Sequence, residues 1–479
     1  CRGQDGFFNL KRAMVQNERK TSTVHVVGNM DWDGLHRPQI YYAMVAIFSG
    51  LFLSVIDGTI CNVALPTIAR QLQISSSIWI VNAFQLVVVM TLLPCSALGE
   101  LFGFKRTYLW GMVFFTVGSL CCALSDSFAL LVLSRMLQGV GAAMVMSVNG
   151  SLVRLIYPKR HLAKGFGLNA TVVALASVAG PTLSGAILSV SSWPWLFAVN
   201  LPFGLLTFFL ARRYLPGNPT RVKGRRFDFP SAVLNALTFG LFIGCVEAFS
   251  HGLSFRWIVV GVVLLVGIGA VFVRRQLRQP YPMLPFDLLR IPVFSLSVLT
   301  SILSFTSQML GMVALPFMFH LTFGMSAAET GLLMTAWPLV IVVAGPLAGT
   351  LATKIHPGLL GGFGLLVMSV GCFLLADVSP SAGYGGLVAR LMLCGFGFGL
   401  FQSPNNHLLL SSAPSYRTGG ASGMQATARL VGQTMGAALV ALLFYINGDR
   451  APHAAMLLAG GFTLCGSLVS CSRLRARRF

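Results

Sequence analysis

The sequence predicts an all-α polytopic membrane protein with 14 transmembrane helices, in which two six-helix bundles flank two inserted helices. Three observations support this fold class. The chain is 55% hydrophobic and only 10% charged, whereas soluble domains carry about 25% charged residues. Apolar runs long enough to cross a bilayer, about 20 residues each, recur along the sequence. The basic residues fall almost entirely on alternate connections between these runs.

The apolar runs define the predicted spans in order along the chain. They lie at 42–66, 77–98, 106–124, 128–150, 163–189, 194–211, 229–249, 257–273, 293–319, 329–351, 358–376, 383–410, 418–446 and 454–472. The predicted parts of the chain are a cytoplasmic N-terminal segment 1–41, a first bundle 42–214, a linker 215–280 with inserted helices 7 and 8, a second bundle 281–472 and a basic cytoplasmic tail 473–479. The connections are too short to hold a soluble catalytic domain.

The net charge of +21 follows the predicted topology and does not indicate a nucleic-acid-binding surface. Of the 34 Lys and Arg residues, 28 lie on the termini, the connections and the adjoining first residues of spans on one side, three lie on the other side and three lie deeper within spans. Cytoplasmic connections carry such an excess of base. We therefore expect a multi-pass protein of a bacterial inner or plasma membrane, with both termini cytoplasmic. We expect it to contact the lipid bilayer and to bind no nucleic acid.

Spans 4 and 12 carry a weak internal repeat. Each places an arginine, Arg135 or Arg390, before a glycine-rich face. These spans are the fourth of the first six and the fourth of the last six, which favours two related six-helix bundles.

Asp57 is the deepest carboxylate in the predicted membrane region. Of 13 acidic residues, only Asp57 and Glu247 fall within apolar runs, and Glu247 lies close enough to a span end to reach the headgroups. A charged side chain at the bilayer centre costs about 2.5–3.5 kcal/mol on insertion scales, so it seldom persists without a role. Asp57 is therefore a candidate for proton exchange. The alternative is a fixed partner for a buried arginine.

Arg135 is the obvious candidate for that partner, because it lies near the middle of span 4. Arginine cannot lose its charge, so it needs an anion, a carbonyl group or water. A change in the distance between Arg135 and Asp57 would make Asp57 bind or release a proton, whereas a fixed distance would make the two residues a static ion pair. Arg390 and Arg429 are the other two buried bases.

Uncharged polar residues within the spans either line a wet cavity or form hydrogen bonds between helices. They are Gln85, Asn149, Asn169, Asn200, Gln308, Gln402, Asn405, Asn406 and Gln433. The candidate substrate-binding residues are Asp57, Asn62, Gln85, Glu247, Gln308 and Asn405.

The sequence gives no sign of enzyme chemistry. Its ten cysteines have no metal-ligand spacing, and no phosphate-binding loop, zinc-protease or serine-hydrolase motif is present. We expect no metal, no cofactor and no enzymatic activity.

Several segments resemble the 14-span drug/proton antiporters of the major facilitator superfamily. The run from Asp57 to Pro66 resembles the first-span motif of that family. The run Arg135, Gln138 and Gly139 resembles its proton-transfer motif in span 4. Two further motifs of that family control its conformational change. The motif of span 5 is matched by Gly167, Gly180, Pro181 and Gly185. The motif between spans 2 and 3 is matched by Glu100, Gly103 and Lys105.

The resemblance implies proton-coupled export of small lipophilic, cationic drugs or toxic compounds by alternating access. Asp57 and Arg135 would couple the proton, and the same carboxylate would accept the cationic substrate. The alternative is a proton-coupled transporter of a neutral or anionic metabolite that contacts Arg135, Arg390 or Arg429. Periplasmic accessory proteins are compatible with either function, although nothing in the sequence indicates them.

Overall fold

The computed structural model describes residues 26–28, 33–73, 79–218, 220–222, 227–250, 255–279, 282–378 and 383–476. Helices account for nearly all of these residues. In chain order they are α1 (Gln39–Gln71), α2 (Trp79–Phe102), α3 (Phe104–Ala123), α4 (Phe128–Ile156), α5 (Leu162–Val190), α6 (Trp195–Ala198), α7 (Asn200–Tyr214), α8 (Phe229–Ser250), α9 (Phe255–Leu277), α10 (Phe286–Leu289), α11 (Pro292–Phe323), α12 (Ala327–Met334), α13 (Ala336–Leu351), α14 (Pro357–Ala376), α15 (Tyr384–Ser412), α16 (Thr418–Asn447) and α17 (Ala451–Ala476).

Twelve helical stretches of the described chain are long and apolar enough to cross a membrane. Two of the fourteen predicted spans are not among them. One is α3, which carries Lys105 and Arg106 in its first turn. The other is α8, whose apolar part, Phe229–Cys245, is shorter. A polytopic helical membrane protein is thus confirmed, but length and composition support twelve spans rather than fourteen.

The helices form two bundles with a third, smaller pair beside them. In the first half, α1–α7, α1 packs on α5 and α7, and α4 packs on α2 and α3. In the second half, α11–α17, α11 packs on α16 and α17, and α14 packs on α15 and α17. The halves meet where α5 packs on α13 and where α2 packs on α16. The pair α8 and α9 contacts both halves through α8.

Glycines bring α5 and α13 into close contact across the two halves. A Cβ atom at Gly167 would lie 2.6 Å from the carbonyl oxygen of Gly345, and one at Gly349 would lie 2.6 Å from that of Ala163. Backbones can approach this closely only where side chains are very small. Of the residues that match the span 5 motif, Gly167 therefore lies at the interface between the halves.

Asp228 holds the start of α8 against α9. Burial alone would raise the pKa of Asp228, but hydrogen bonds from Arg275, whose Nη2 lies 2.9 Å from Oδ1, and from Ser231 hold it at about 2. Further along α8, Asn235 donates a hydrogen bond of 2.8 Å to the carbonyl oxygen of Met90 on α2. The inserted pair is therefore attached to the first half by polar contacts as well as by packing.

Among the described residues, one short sheet departs from the predicted all-α chain. Strand β1, Val26–Gly28, pairs antiparallel with strand β2, Thr220–Val222. The pairing brings β-branched valines together, which suits extended backbone. Many helices also extend beyond the predicted spans; for example, α1 begins at Gln39 rather than at residue 42 and α17 extends to Ala476 rather than 472.

Candidate functional site

Asp57 lies on α1 and is surrounded by hydrogen-bond donors. Its Oδ2 pairs with Nη1 of Arg135 on α4. Its Oδ1 accepts hydrogen bonds from Nε2 of Gln138, at 2.8 Å, and from Nδ2 of Asn200, at 2.9 Å. The side chains of Asp57 and Arg135 are both 0% exposed. Three donors from two other helices therefore hold the carboxylate in a sealed site.

The guanidinium of Arg135 is enclosed as tightly as its partner. Its Nε donates to the carbonyl oxygen of Ile80 at 3.1 Å, and its Nη1 also donates to Oε1 of Gln138 at 2.6 Å. The guanidinium carbon lies 4.3 Å from the ring centroid of Phe84 and 5.6 Å from that of Phe197. Aromatic faces attract a cation at such distances. The ion pair is thus one part of a larger polar and aromatic cluster.

The helix geometry explains how these side chains meet. Arg135 and Gln138 are three residues apart on α4, so they share one face. Ser119 on α3 accepts a hydrogen bond of 2.8 Å from Gln138. Gly118 lets the two helices come together, because a Cβ atom there would lie 2.7 Å from the backbone nitrogen of Gln138. Asn200 is the first residue of α7.

A cavity of about 1160 Å³ lies between the two halves. Helix α5 forms its wall in the first half, and α11, α12, α13, α15 and α16 form its walls in the second. The cavity extends from Gln402 and Arg429, in the middle of their helices, to His320 and Met325 near the end of α11. Asp57 is not among the described residues that line it.

The cavity walls are mostly apolar, with a few polar groups. The apolar side chains include Phe305 and Phe398, whose ring centroids are 5.3 Å apart at an angle of 74°. The polar side chains are Ser177, Thr182, Gln308, His320, Thr330, Thr335, Gln402, Arg429 and Gln433. The described lining residues include no Asp or Glu, and Arg429 is their only Arg or Lys.

Arg429 also lines a second, smaller cavity of about 50 Å³. Polar side chains surround this smaller space, among them Asn149 and Asn169, which share a hydrogen bond of 2.6 Å. The Nε of Arg429 is buried and has no hydrogen-bond partner among the described atoms. Arg429 therefore lies where the large cavity meets a small polar one, with part of its hydrogen-bonding capacity unused.

The two halves are joined at one end of the bundle, which we call the basic end because Arg154 and Arg417 lie there. Nη1 of Arg154 on α4 donates to the carbonyl oxygens of Leu410, at 2.7 Å, and Ala413, at 2.9 Å, at the end of α15. Ser151, one turn earlier on α4, donates to the carbonyl oxygen of Thr418 at 3.0 Å. These contacts hold the halves together at the basic end, and no described residue of that end lines the large cavity.

Arg417 and Glu100 make the second connection at the basic end. Nη1 of Arg417 lies 2.9 Å from Oε2 of Glu100 on α2, and both side chains are buried. Glu100 also accepts a hydrogen bond of 2.7 Å from the backbone nitrogen of Gly420. Arg417 reaches a second carboxylate as well, since its Nε lies 2.7 Å from Oδ2 of Asp287. Two carboxylates from different parts of the chain thus share one guanidinium.

The six candidate substrate-binding residues are not brought together. Gln308 lines the cavity. Asp57 lies in the sealed cluster, Gln85 is exposed, and Asn405 is buried, with a hydrogen bond of 2.7 Å to Ser301.

The other two candidates, Asn62 and Glu247, have side chains outside the described residues. The described contacts therefore place Gln308, and not Asp57, in the space that could hold a substrate.

The residues matched to conformational motifs have different surroundings. Gly103 has φ 107° and caps α3, a backbone conformation that favours glycine. Gly139 lies where α4 approaches α2, and Gly180 lies against Thr59 of α1. Gly185 has no neighbour within 4 Å of a Cβ position, and the side chain of Pro181 is outside the described residues. Lys105 is partly exposed at the start of α3.

Sequence reasoning missed Arg417 and Asp287 as members of a connection between the halves. Both lie in predicted loops, where charged residues are common, so no periodicity or composition marked them. The sequence marks Asn200 as a polar residue of a span, but nothing in it indicates that Asn200 bonds to Asp57. Arg390 is half-buried, and it is not among the described residues that line the cavity.

Two helical bundles around a central cavity that is closed at one end define a membrane transporter that works between two halves. The chain belongs to the Major Facilitator Superfamily, whose family model matches residues 47–437 and 296–477. The members of this family are transporters and not enzymes.

Relatives across bacteria share most of the chain. The uncharacterized transporter YebQ of Escherichia coli (strain K12) is 50% identical over 448 residues, which cover 93% of this chain and 98% of YebQ. The riboflavin transporter RibZ of Clostridioides difficile is 30% identical, covering 85% and 88%. The multidrug efflux pump LfrA of Mycolicibacterium smegmatis is 30% identical, covering 84% and 81%.

A solved structure shows the same fold. The crystal structure of the human organic anion transporter MFSD10 matches with a TM-score of 0.65 at 15% identity, covering 91% of this chain and 100% of that one. The likeness concerns the arrangement of helices in two halves.

Proposed function

We propose that the protein is a proton-coupled secondary active exporter of small lipophilic compounds, which bind in the cavity between the halves. The observation that carries this proposal is the sealed Asp57–Arg135 cluster in the first half, a titratable group kept apart from the cavity. A buried carboxylate beside a base is a common element of proton pathways in transporters. The relatives named as a multidrug efflux pump and a riboflavin transporter support small organic substrates.

In the proposed topology the basic end is cytoplasmic and both termini lie on that side. The excess of Lys and Arg there supports this orientation. We also propose that α3 and α8 cross the membrane, giving fourteen spans. Helix α3 has 20 residues and α8 has 22, so each is about 30 Å long, the thickness of a bilayer core.

With this orientation the structure corresponds to the outward-facing state. The contacts of Arg154 and the Arg417–Glu100 pair close the cytoplasmic side. The cavity extends toward the ends of α11 and α5 on the other side. Export by alternating access would require these contacts to break so that a substrate could enter from the cytoplasm.

Coupling in this proposal works through α4 rather than through competition at a single carboxylate. Arg135 near the beginning of α4 and Arg154 near its end are joined by an uninterrupted helix, about 28 Å at 1.5 Å per residue. Protonation of Asp57 would remove the charge that Arg135 pairs with, and the buried guanidinium would then need a new arrangement. A shift of α4 would move Arg154 relative to α15.

Transport by purified protein in liposomes tests this function. An imposed pH gradient should move a lipophilic dye against its concentration gradient, and a protonophore should abolish that movement. The dye is either ethidium, which is cationic, or a fluorescein, which is anionic. Asp57→Asn should lose the response to the pH gradient while still exchanging dye across the membrane. Glu329→Gln, an exposed acid at the other end, is the matched control. Full gradient-driven transport by Asp57→Asn would contradict the mechanism.

A further inference from the structure

We propose that the central cavity binds organic anions with an apolar aromatic body and a single carboxylate or sulfonate group, and that Arg429 binds that group. The proposal rests on the transport function above and adds the class of substrate. It departs from the cationic substrates that the family resemblance implies. The reason is the distribution of charge around the cavity.

Arg429 is a cation without a protein counterion in the described structure. Arg135 is paired with Asp57, and Arg417 is paired with Glu100 and Asp287. By contrast, Arg429 makes no ion pair with a described residue, and its buried Nε donates no hydrogen bond to a described atom. A guanidinium in a membrane interior cannot become neutral, so it needs an anion, a carbonyl group or water, and a ligand anion would supply the first of these.

The position of Arg429 makes it available to a ligand. It lines the large cavity together with Gln402 and Gln433, and it also lines the small polar cavity that contains Asn149 and Asn169. Its fork of N–H donors matches a carboxylate or sulfonate group in two parallel hydrogen bonds. The neighbouring glutamine amides can donate to the same group, since each carries an NH₂.

The rest of the cavity fits an aromatic body. Phe305 and Phe398 contact each other edge to face and form part of the wall, and Met309, Met312 and Ile341 add flexible and branched apolar surface. A volume of about 1160 Å³ slightly exceeds the range of pockets for drug-sized ligands, about 300–1,000 Å³, so such a ligand fits with room to spare. A ligand with one anionic group and one or more rings would satisfy both parts of the cavity.

An organic cation would be repelled in the same cavity. Its charge would lie in the same low-dielectric space as Arg429, where like charges repel strongly. No described Asp or Glu lines the cavity to offset that repulsion. The charges in the cavity therefore select for anions and against cations.

Three probes with the same ring system test the proposal: naphthoate (anion), naphthamide (neutral) and naphthylmethylammonium (cation). Binding to the purified full chain in nanodiscs at pH 7 is measured by calorimetry, with no proton gradient present. We expect naphthoate to bind at least about tenfold more tightly than naphthamide, the preference typical of a charge-assisted hydrogen bond, and naphthylmethylammonium to bind most weakly.

Arg429→Gln should abolish the preference for naphthoate, and Arg429→Lys should keep part of it, because the charge remains but the fork is lost. Arg256→Gln, which removes an exposed arginine at the other end of the bundle, should leave all three affinities unchanged. If Arg429→Gln does not fold, the Lys variant and the salt dependence of naphthoate binding by the wild type carry the test. Tightest binding of the cation, or a naphthoate preference that survives in Arg429→Gln, would overturn the proposal.

The two proposals fail in different ways. Selective naphthoate binding without gradient-driven transport would remove the proton-coupled function and leave the anion site. Gradient-driven export of ethidium by a protein that does not prefer naphthoate would remove the anion site and leave the transport function. Asp57→Asn should retain the naphthoate preference, since Asp57 does not line the cavity.

Discussion

Glu100 on α2 and Arg417 before α16 form a buried ion pair that joins the two halves at the basic end, with 2.9 Å between Oε2 and Nη1. Removing Glu100 would leave Arg417 paired with Asp287 alone, so we expect a cost below the roughly 3–5 kcal/mol of a fully uncompensated buried charge. Since about 1.4 kcal/mol changes a population tenfold, loss of this pair should shift the protein toward a state that is open at the basic end.

Glu100→Gln tests that expectation. Spin labels at exposed positions 106 and 354, one in each half at the basic end, report the separation of the halves. We expect the variant to populate longer distances at least about ten times more often than the wild type. Asp33→Asn, an acid before α1 that bonds to the backbone of Lys159 within the first half, is the control. Identical distance distributions for Glu100→Gln and the wild type would show that the pair does not hold this end closed.

Arg135 should matter for stability in a way that depends on Asp57. Arg135→Gln leaves the Asp57 charge buried at 0% exposure without its cation, and we expect a loss of about 3–5 kcal/mol in the free energy of unfolding. The double variant Asp57→Asn with Arg135→Gln removes both charges, so most of that stability should return. Thermal unfolding in detergent measures the stability of the single and the double variant. Transport in liposomes shows whether proton coupling returns in the double variant.

We expect coupling to stay absent in the double variant, because no carboxylate remains in the cluster. Recovery of gradient-driven transport together with stability would show that Asp57 is a structural partner only. Equal stability of Arg135→Gln and the double variant would show that the two charges do not depend on each other.

The sequence predicts the pairing of Asp57 and Arg135 because so few charges lie within the spans that elimination suffices. It could not predict that Asn200 completes the cluster, since an amide 143 residues away in the chain gives no signal of contact. The same limit applies to the cavity. Gln308, Gln402 and Gln433 are recognisable as polar residues in spans, but which of them face a common space depends on how helices are rotated, and packing of distant helices decides that.

Asp228 provides a prediction about pH. Its pKa in the folded state, about 2, lies below the ordinary value of 3.8, so the carboxylate stabilises the start of α8 whenever the pH is above about 4. That contribution should be lost as the pH falls from 4 toward 2. The difference in melting temperature between the wild type and Asp228→Asn should therefore be constant from pH 5 to pH 8 and shrink below pH 4. A difference that changes between pH 5 and pH 8 would contradict the assignment.

The α5–α13 contact leads to a prediction about movement between the halves. Gly167→Val would place branched atoms where even a Cβ lies 2.6 Å from the carbonyl oxygen of Gly345, so the helices would have to separate. Overpacking of this kind typically costs about 1–3 kcal/mol. We expect reduced transport and a lower melting temperature.

Gly185→Ala, on the same helix, should keep wild-type values of both, because a Cβ atom there has no neighbour within 4 Å. Dye transport in liposomes and thermal unfolding compare the two variants. Equal behaviour of both would show that the approach of α5 to α13 does not limit transport, and a defect in Gly185→Ala alone would point to a contact that forms only in another state of the transport cycle.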